Sequence, residues 1–361
     1  MDLSNLFDHL QAEEYSIVGP KEKEGAIHYD YLATFDEMPR GKREVSKAGS
    51  YRLTDLGDNS LFRYTVGPGS LKKFLLPPKR KVQEISRDSN HPQVLKIVPV
   101  QKKSKKLAFW GIRSCDLAAV GVTDKVFFNN QHVNSDYHER RRDNVFVVAG
   151  CLEPGELCFC HDMKTGPLAE DGFDIMILET LEPKPAYLFY SGSDKGAALL
   201  TNIGQPLKDD PLKKLRKNAE TSMVRRFSAD NVKETLANNL DHPHWDTVAD
   251  RCLSCANCTM VCPTCFCTTT VETSDLKGEH AERWLEWDSC FTGAFSYIHG
   301  GEVRSTTAGR YRQWLVHKLS TWQEQFGTSG CVGCGRCVSW CPAAIDLTEE
   351  VGAIRGEGGE E

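Results

Sequence analysis

The chain has 361 residues, 40% of them hydrophobic and 26% charged, with a formal net charge of −6. That length suits roughly two domains of about 150 residues, each able to bury a core. No apolar run approaches the roughly 20 residues of a membrane span, the acidic opening MDLSNLFDHLQAEE argues against a secretory signal, and the mild acidity disfavours nucleic acid as a main partner.

Residues 2–13 read as a short amphipathic helix with Leu3, Leu6, Phe7 and Leu10 on one face. Two short strands follow, over residues 16–20 and 26–32. Residues 71–106 carry Lys72, Lys73, Lys79, Arg80, Lys81, Arg87, Lys96, Lys102, Lys103, Lys105 and Lys106 against Glu84 and Asp88, eleven basic groups against two acidic ones. Such a run reads first as a solvated face, and second as a docking surface for an acidic partner subunit. Residues 107–112, 144–150 and 173–178 are continuous apolar strands, with a helix over 116–122. That alternation predicts a parallel sheet covered on both faces. Residues 209–240 read as polar helices leading to a second region.

Cysteine is the outlier. Fifteen thiols in a chain expected to be cytoplasmic read as metal ligands, because the cytosol keeps thiols reduced. None precedes Cys115, four lie between Cys115 and Cys160, and eleven fall between Cys252 and Cys341.

Two stretches share one pattern, C-x2-C-x2-C-x3-C-P. They are Cys252, Cys255, Cys258 and Cys262 before Pro263, and Cys331, Cys334, Cys337 and Cys341 before Pro342. This is the bacterial iron–sulfur run, in which the fourth cysteine ligates the other cluster. One [4Fe–4S] cubane is therefore expected on Cys252, Cys255, Cys258 and Cys341, and a second on Cys331, Cys334, Cys337 and Cys262. Small residues at Ser254, Ala256, Gly333 and Gly335 let the loop approach a cluster closely. Zinc sites use separated pairs and do not explain a repeated octet ending in Cys-Pro.

The 68 residues between the octets include two expected helices, Glu279–Ile298 and Gly309–Phe326, with Trp284, Trp287, Phe291 and Tyr297 as packing aromatics. The spacing resembles an α-helical ferredoxin. The fold class expected is α+β: an α/β domain over 1–240 with a largely parallel sheet, an α-helical ferredoxin-like domain over 241–348, and an acidic, unordered tail over 349–361.

Seven cysteines remain. Cys115 and Cys151 each follow a strand, at the sheet edge where such folds place ligands. With Cys158 and Cys160 they make a candidate third [4Fe–4S] site, against the alternatives of zinc or buried small hydrophobes. Cys265, Cys267 and Cys290 read as packing or supporting thiols, with a further metal site completed by Asp288 or a histidine as the alternative. His161 and His280 carry no ligand spacing, and His299 and His317 read as surface or hydrogen-bonded histidines. Arg251 and Arg336 flank cluster cysteines and could raise a reduction potential. As isolated arginines they read as solvated.

Several segments carry a family likeness: Gly111-Ile-Arg-Ser-Cys-Asp-Leu, Gly150-Cys-Leu-Glu-Pro with Cys158-Phe-Cys160, the first octet running on through Cys265 and Cys267, Trp287-Asp-Ser-Cys290, and the second octet. Over residues 60–347 the chain resembles the β subunit of soluble cytoplasmic NiFe hydrogenases of the sulfhydrogenase type, and the A subunit of anaerobic sulfite reductase. The resemblance implies an electron-transfer subunit between a flavin subunit that handles NAD(P)H and a catalytic branch of either kind. No G-x-G-x-x-G follows a strand, and no C-x-x-C-H occurs. That agrees with nicotinamide and flavin being bound elsewhere. Two other readings stay open: a sulfur- or polysulfide-reducing subunit with an open site at the four N-terminal thiols, and a redox-sensing assembly module.

Overall fold

The computed structural model describes residues 3–356 apart from 89, 92, 101–103, 129–132, 182–184, 202, 204 and 206. Its main sheet has six strands in the order Ala186–Ser191, Ile175–Thr180, Val145–Ala149, Leu107–Ile112, Ser16–Lys23, Ala26–Tyr31. The four central strands run parallel, and each edge strand pairs antiparallel. Every residue of Leu107–Ile112 and Val145–Ala149 is buried, as a sheet covered on both faces demands.

One face is covered by the helix Leu3–Ala12, whose Leu3, Leu6, Phe7 and Leu10 are fully buried. Each such side chain contributes roughly 1.5–3 kcal/mol. The helix Ser114–Phe128 covers the other face through Leu117 and Val120. It starts at the carboxyl end of the central strand, so Cys115 lies in its first turn.

The second region packs short helices around Trp245, Tyr311, Trp314, Leu315 and Leu319. The expected helix over 309–326 is present as Thr307–Val316, a π-helical turn at His317–Thr321, and Trp322–Phe326. The architecture as a whole is α+β.

Three expectations are corrected. Residues 280–287 form a strand, and no long helix spans 279–298. Trp284, Trp287 and Phe291 have helical spacing, but the strand is fixed by partners about 200 residues away. His280–Trp287 pairs with Lys79–Arg87 and Thr268–Ser274, and Lys81 and Lys79 reach across to Glu282 and Glu286 at 2.8 and 2.6 Å. This sheet joins strands from either side of residue 240.

The basic run is accordingly not one solvated face. Lys72 is buried and Arg80 pairs with Asp136, whereas Lys79, Arg87, Lys105, Lys106 and the strand Leu95–Pro99, carrying Lys96, are exposed. Lys102 and Lys103 lie outside the described residues.

Nor is the acidic segment a tail throughout. Leu347–Arg355 is a helix capped by the Asp346 side chain, with Glu350, Val351 and Ile354 buried. Residues 357–361 lie outside the described residues.

Candidate metal centres

Both octets use the same backbone. Ser254 and Ala256 in the first, and Gly333 and Gly335 at the equivalent places in the second, all have φ between +49° and +72°. A left-handed residue with a side chain costs roughly 1–2 kcal/mol. The first octet therefore holds strain at two positions, and the second meets the same curvature with glycine. Each loop then enters a four-residue helix, Asn257–Met260 or Arg336–Ser339. The Asn257 amide ties the two together by donating to the Trp340 carbonyl.

The octet thiols lie in two groups. Cys252, Cys255, Cys258 and Cys341 line one cavity, roofed by Phe291, Tyr311 and Trp314. Cys262, at the end of the first octet, lies instead in the electrostatic field of Cys331, Cys334 and Cys337. Backbone N–H groups donate to the sulfurs, from Gly333 to Cys331 and from Ile345 to Cys341, each at 3.4 Å.

Cys115, Cys151, Cys158 and Cys160 also converge, on a cavity they share with Cys334, Arg113 and Arg336. The loop bearing Cys158 and Cys160 lies against the second octet. Phe159 N–H donates to the Gly333 carbonyl at 2.9 Å, and the Thr165 hydroxyl to that of Val332 at 2.7 Å. The fit leaves no room: a Cβ on Gly333 would come within 2.7 Å of Cys160 N and Cα.

Arg336 is the clearest correction among the candidate tuning residues. It is 3% exposed, and its guanidinium donates to Asp116 Oδ2 at 3.0 Å and to the Gly67 carbonyl at 3.2 Å, with Asp116 Oδ1 in ion-pair contact at 2.9 Å. Asp116 follows Cys115 directly and also accepts from the Tyr29 hydroxyl at 2.8 Å. This buried pair joins the second octet to the N-terminal thiol set. Its partner lies 220 residues away, so a sequence scan reads the arginine as solitary. Arg251 does reach the surface, bonded to Glu350 at 2.6 Å.

Several observations test whether these residues suit iron–sulfur clusters. Arg113 Nε and Arg336 Nη1 are buried donors without a partner, and both residues line the N-terminal cavity, where an anionic group would suit them. Burial pushes the Cys115, Cys160, Cys258 and Cys337 thiols up. Cys331 is pushed up to about 12, burial outweighing the Lys318 ammonium. These side chains therefore hold their protons at neutral pH, and ligation must expel them. Among the described residues no three His, Cys, Asp or Glu side chains are placed to hold a single metal ion. The residues fit thiolate-ligated clusters.

Cys265, Cys267 and Cys290 gather between the octets. Cys265 lies beside Cys262, and Cys267 beside Cys290. The Cys290 thiol and backbone hold Cys267 down to about 7, with burial opposing. Asp288 Oδ1 accepts from Ser289 N and the Thr292 hydroxyl, both at 2.7 Å, and the Asp288 charge also acts on Cys267. His317 packs against Trp322 with ring centroids 5.0 Å apart and the planes tilted by 40°, and meets Gln325 at 3.2 Å.

One residue escaped the sequence reading. Lys318 is buried among these thiols, its ammonium 3.2 Å from Cys262 Sγ. The available signal was its spacing: Trp314, Lys318 and Trp322 recur every four residues, so the lysine interrupts an inward-facing stripe.

No helix among the described residues is long and apolar enough to cross a membrane. Residues 251–345 match the 4Fe-4S dicluster domain family. Over 342 residues, 91% of this chain and 97% of the relative, the chain is 32% identical to sulfhydrogenase 2 subunit beta of Pyrococcus furiosus. No solved structure matches. With two octets meeting crosswise inside a 4Fe-4S dicluster domain and a relative matched along almost its whole length, the chain belongs to the sulfhydrogenase β-subunit family and is an iron–sulfur electron-transfer subunit.

Proposed function

We propose that the chain is a non-catalytic relay in a hetero-oligomeric complex, passing single electrons between a flavin subunit that handles NAD(P)H and a NiFe hydrogenase subunit. The observation that carries this reading is the continuity of three thiol sets. Cys334 of the second octet lines the N-terminal cavity, and Cys337 of the same octet lines the cavity of the first. The order along the path is then N-terminal set, second octet, first octet. The sulfhydrogenase relative favours a hydrogenase partner over a sulfite reductase partner.

Cys252, Cys255, Cys258 and Cys341 would hold one [4Fe–4S] cubane, Cys331, Cys334, Cys337 and Cys262 a second, and Cys115, Cys151, Cys158 and Cys160 a third. When bound, each cubane supplies a centre that takes up one electron and returns it. The chain's own residues do the rest. Phe291, Tyr311 and Trp314 keep water from the first set, and the Arg336–Asp116 pair fixes the spacing between the second set and the third. Cys255 is the one exposed cysteine of the fifteen. With Leu253, also exposed beside it, Cys255 marks where the path meets a partner.

Changing Cys258→Ser is expected to cost the first set its cluster. Electron transfer between the partner subunits should then fall at least tenfold, while each partner's own half-reaction with an artificial dye is unchanged. Stopped-flow reduction of the complex checks this, and an unaltered overall rate would refute the assignment.

A further inference from the structure

Two lysines are buried beside the thiols, Lys318 at 2% and Lys72 at 7% exposure. Among the described residues neither pairs with a carboxylate. An uncompensated buried ammonium costs several kcal/mol, so each needs negative charge nearby. The two are used differently. Lys72 donates to the Thr259 and Met260 carbonyls at 3.2 and 3.1 Å and lies 4.1 Å from the centre of the Trp287 ring. Its bonds anchor the first octet's helix to the N-terminal region. Lys318 donates to a sulfur, Cys262 Sγ at 3.2 Å, and to the Gly330 carbonyl at 3.2 Å. Thr264 Oγ1 and Cys265 Sγ complete its surroundings at 3.4 and 3.7 Å.

The backbone is shaped for this. Lys318 lies in the π-helical turn His317–Thr321, an irregularity that often marks functional sites in helices. Its neighbours Leu319 and Ser320 are buried as well. A cation held there faces the sulfur side of the second octet, with Cys331 and Cys337 also within its field.

We propose that Lys318 is a positioning residue that sets the reduction potential at the second thiol set, through its charge and its hydrogen bond to Cys262 Sγ. This rests on the assignment of Cys262, Cys331, Cys334 and Cys337 as one ligand set. Reduction adds one negative charge to a centre that is already anionic, and an adjacent fixed cation in a low-dielectric interior favours that state. The second set lies between the other two, so a raised potential makes it the resting place of an electron in transit.

The test is an EPR-monitored redox titration of the full-length chain, purified anaerobically, with iron counted in the same samples. In Lys318→Gln, which keeps a donor but removes the charge, one midpoint should fall. The expected drop lowers that centre's reduced fraction at least tenfold at fixed potential, about 59 mV for a one-electron couple. The other midpoints should stay put, iron content should match the parent chain, and Lys318→Arg should restore most of the shift. A Lys318→Gln chain with full iron and unmoved midpoints overturns the inference, as does an Arg variant no closer to the parent than the Gln variant. If Lys318→Gln loses iron, Lys318→Arg alone decides: full iron with midpoints within about 20 mV of the parent, roughly a twofold change in reduced fraction, supports a charge role. Iron lost there too overturns it in favour of packing. Fewer than about eight irons in the parent chain would instead remove the ligand-set assignment on which the inference stands.

Discussion

Arg336→Ala is expected to destabilise the chain by about 3–5 kcal/mol, the largest effect of any single change outside the cysteines. Arg336 and Asp116 are 3% and 1% exposed, and their two contacts of 2.9 and 3.0 Å are made where water does not reach. Removing the arginine leaves a buried carboxylate whose remaining side-chain donor among the described residues is the Tyr29 hydroxyl, and it takes the Arg336 donor from the Gly67 carbonyl as well. The cost is that stranded charge, more than the attraction lost. Arg336→Met combined with Asp116→Leu should therefore be far milder than Arg336→Ala alone. Urea unfolding of the full chain under argon reads both. A single variant within about 1 kcal/mol of the parent would show that the pair does not clamp the two regions.

Cys160→Ser is expected to remove about four irons per chain and to cut transfer between partner subunits at least tenfold, while the octet centres keep their EPR signals. Serine nearly preserves the volume of this buried side chain, so the close approach of Gly333 to Cys160 survives and folding is spared. What is lost is a ligand, because a hydroxyl is a poor substitute for a thiolate. Unchanged iron would mean that the four N-terminal thiols are packing, and the path would end at the second octet.

How much of this was legible beforehand depended on sequence distance. The octets declare themselves because only two or three residues separate their cysteines, and the proposed crossing of Cys262 and Cys341 follows from the same pattern. The N-terminal set was legible at one remove. Cys115 and Cys151 each follow a strand of continuous apolar residues, and two such strands in parallel bring their carboxyl ends together.

What depended on distant partners was not legible. The strand His280–Trp287 takes its lysine partners from residues 79 and 81, and its aromatic spacing imitates a helix. Arg336 finds Asp116 across 220 residues, and the buried Glu350 meets Arg251 and His244, each at 2.6 Å and about a hundred residues away. Charged residues look solvated in a one-dimensional reading whenever their counter-charge is far along the chain. Lys318 shows the same thing with sulfur in place of a carboxylate.

Iron, acid-labile sulfide and zinc counted per chain in one anaerobic preparation decide most directly whether three thiol sets form one path. Three cubanes require about twelve irons, an equal count of sulfide and no zinc. About eight irons, with or without zinc on the N-terminal thiols, would contradict the third centre and confine electron transfer to the two octets.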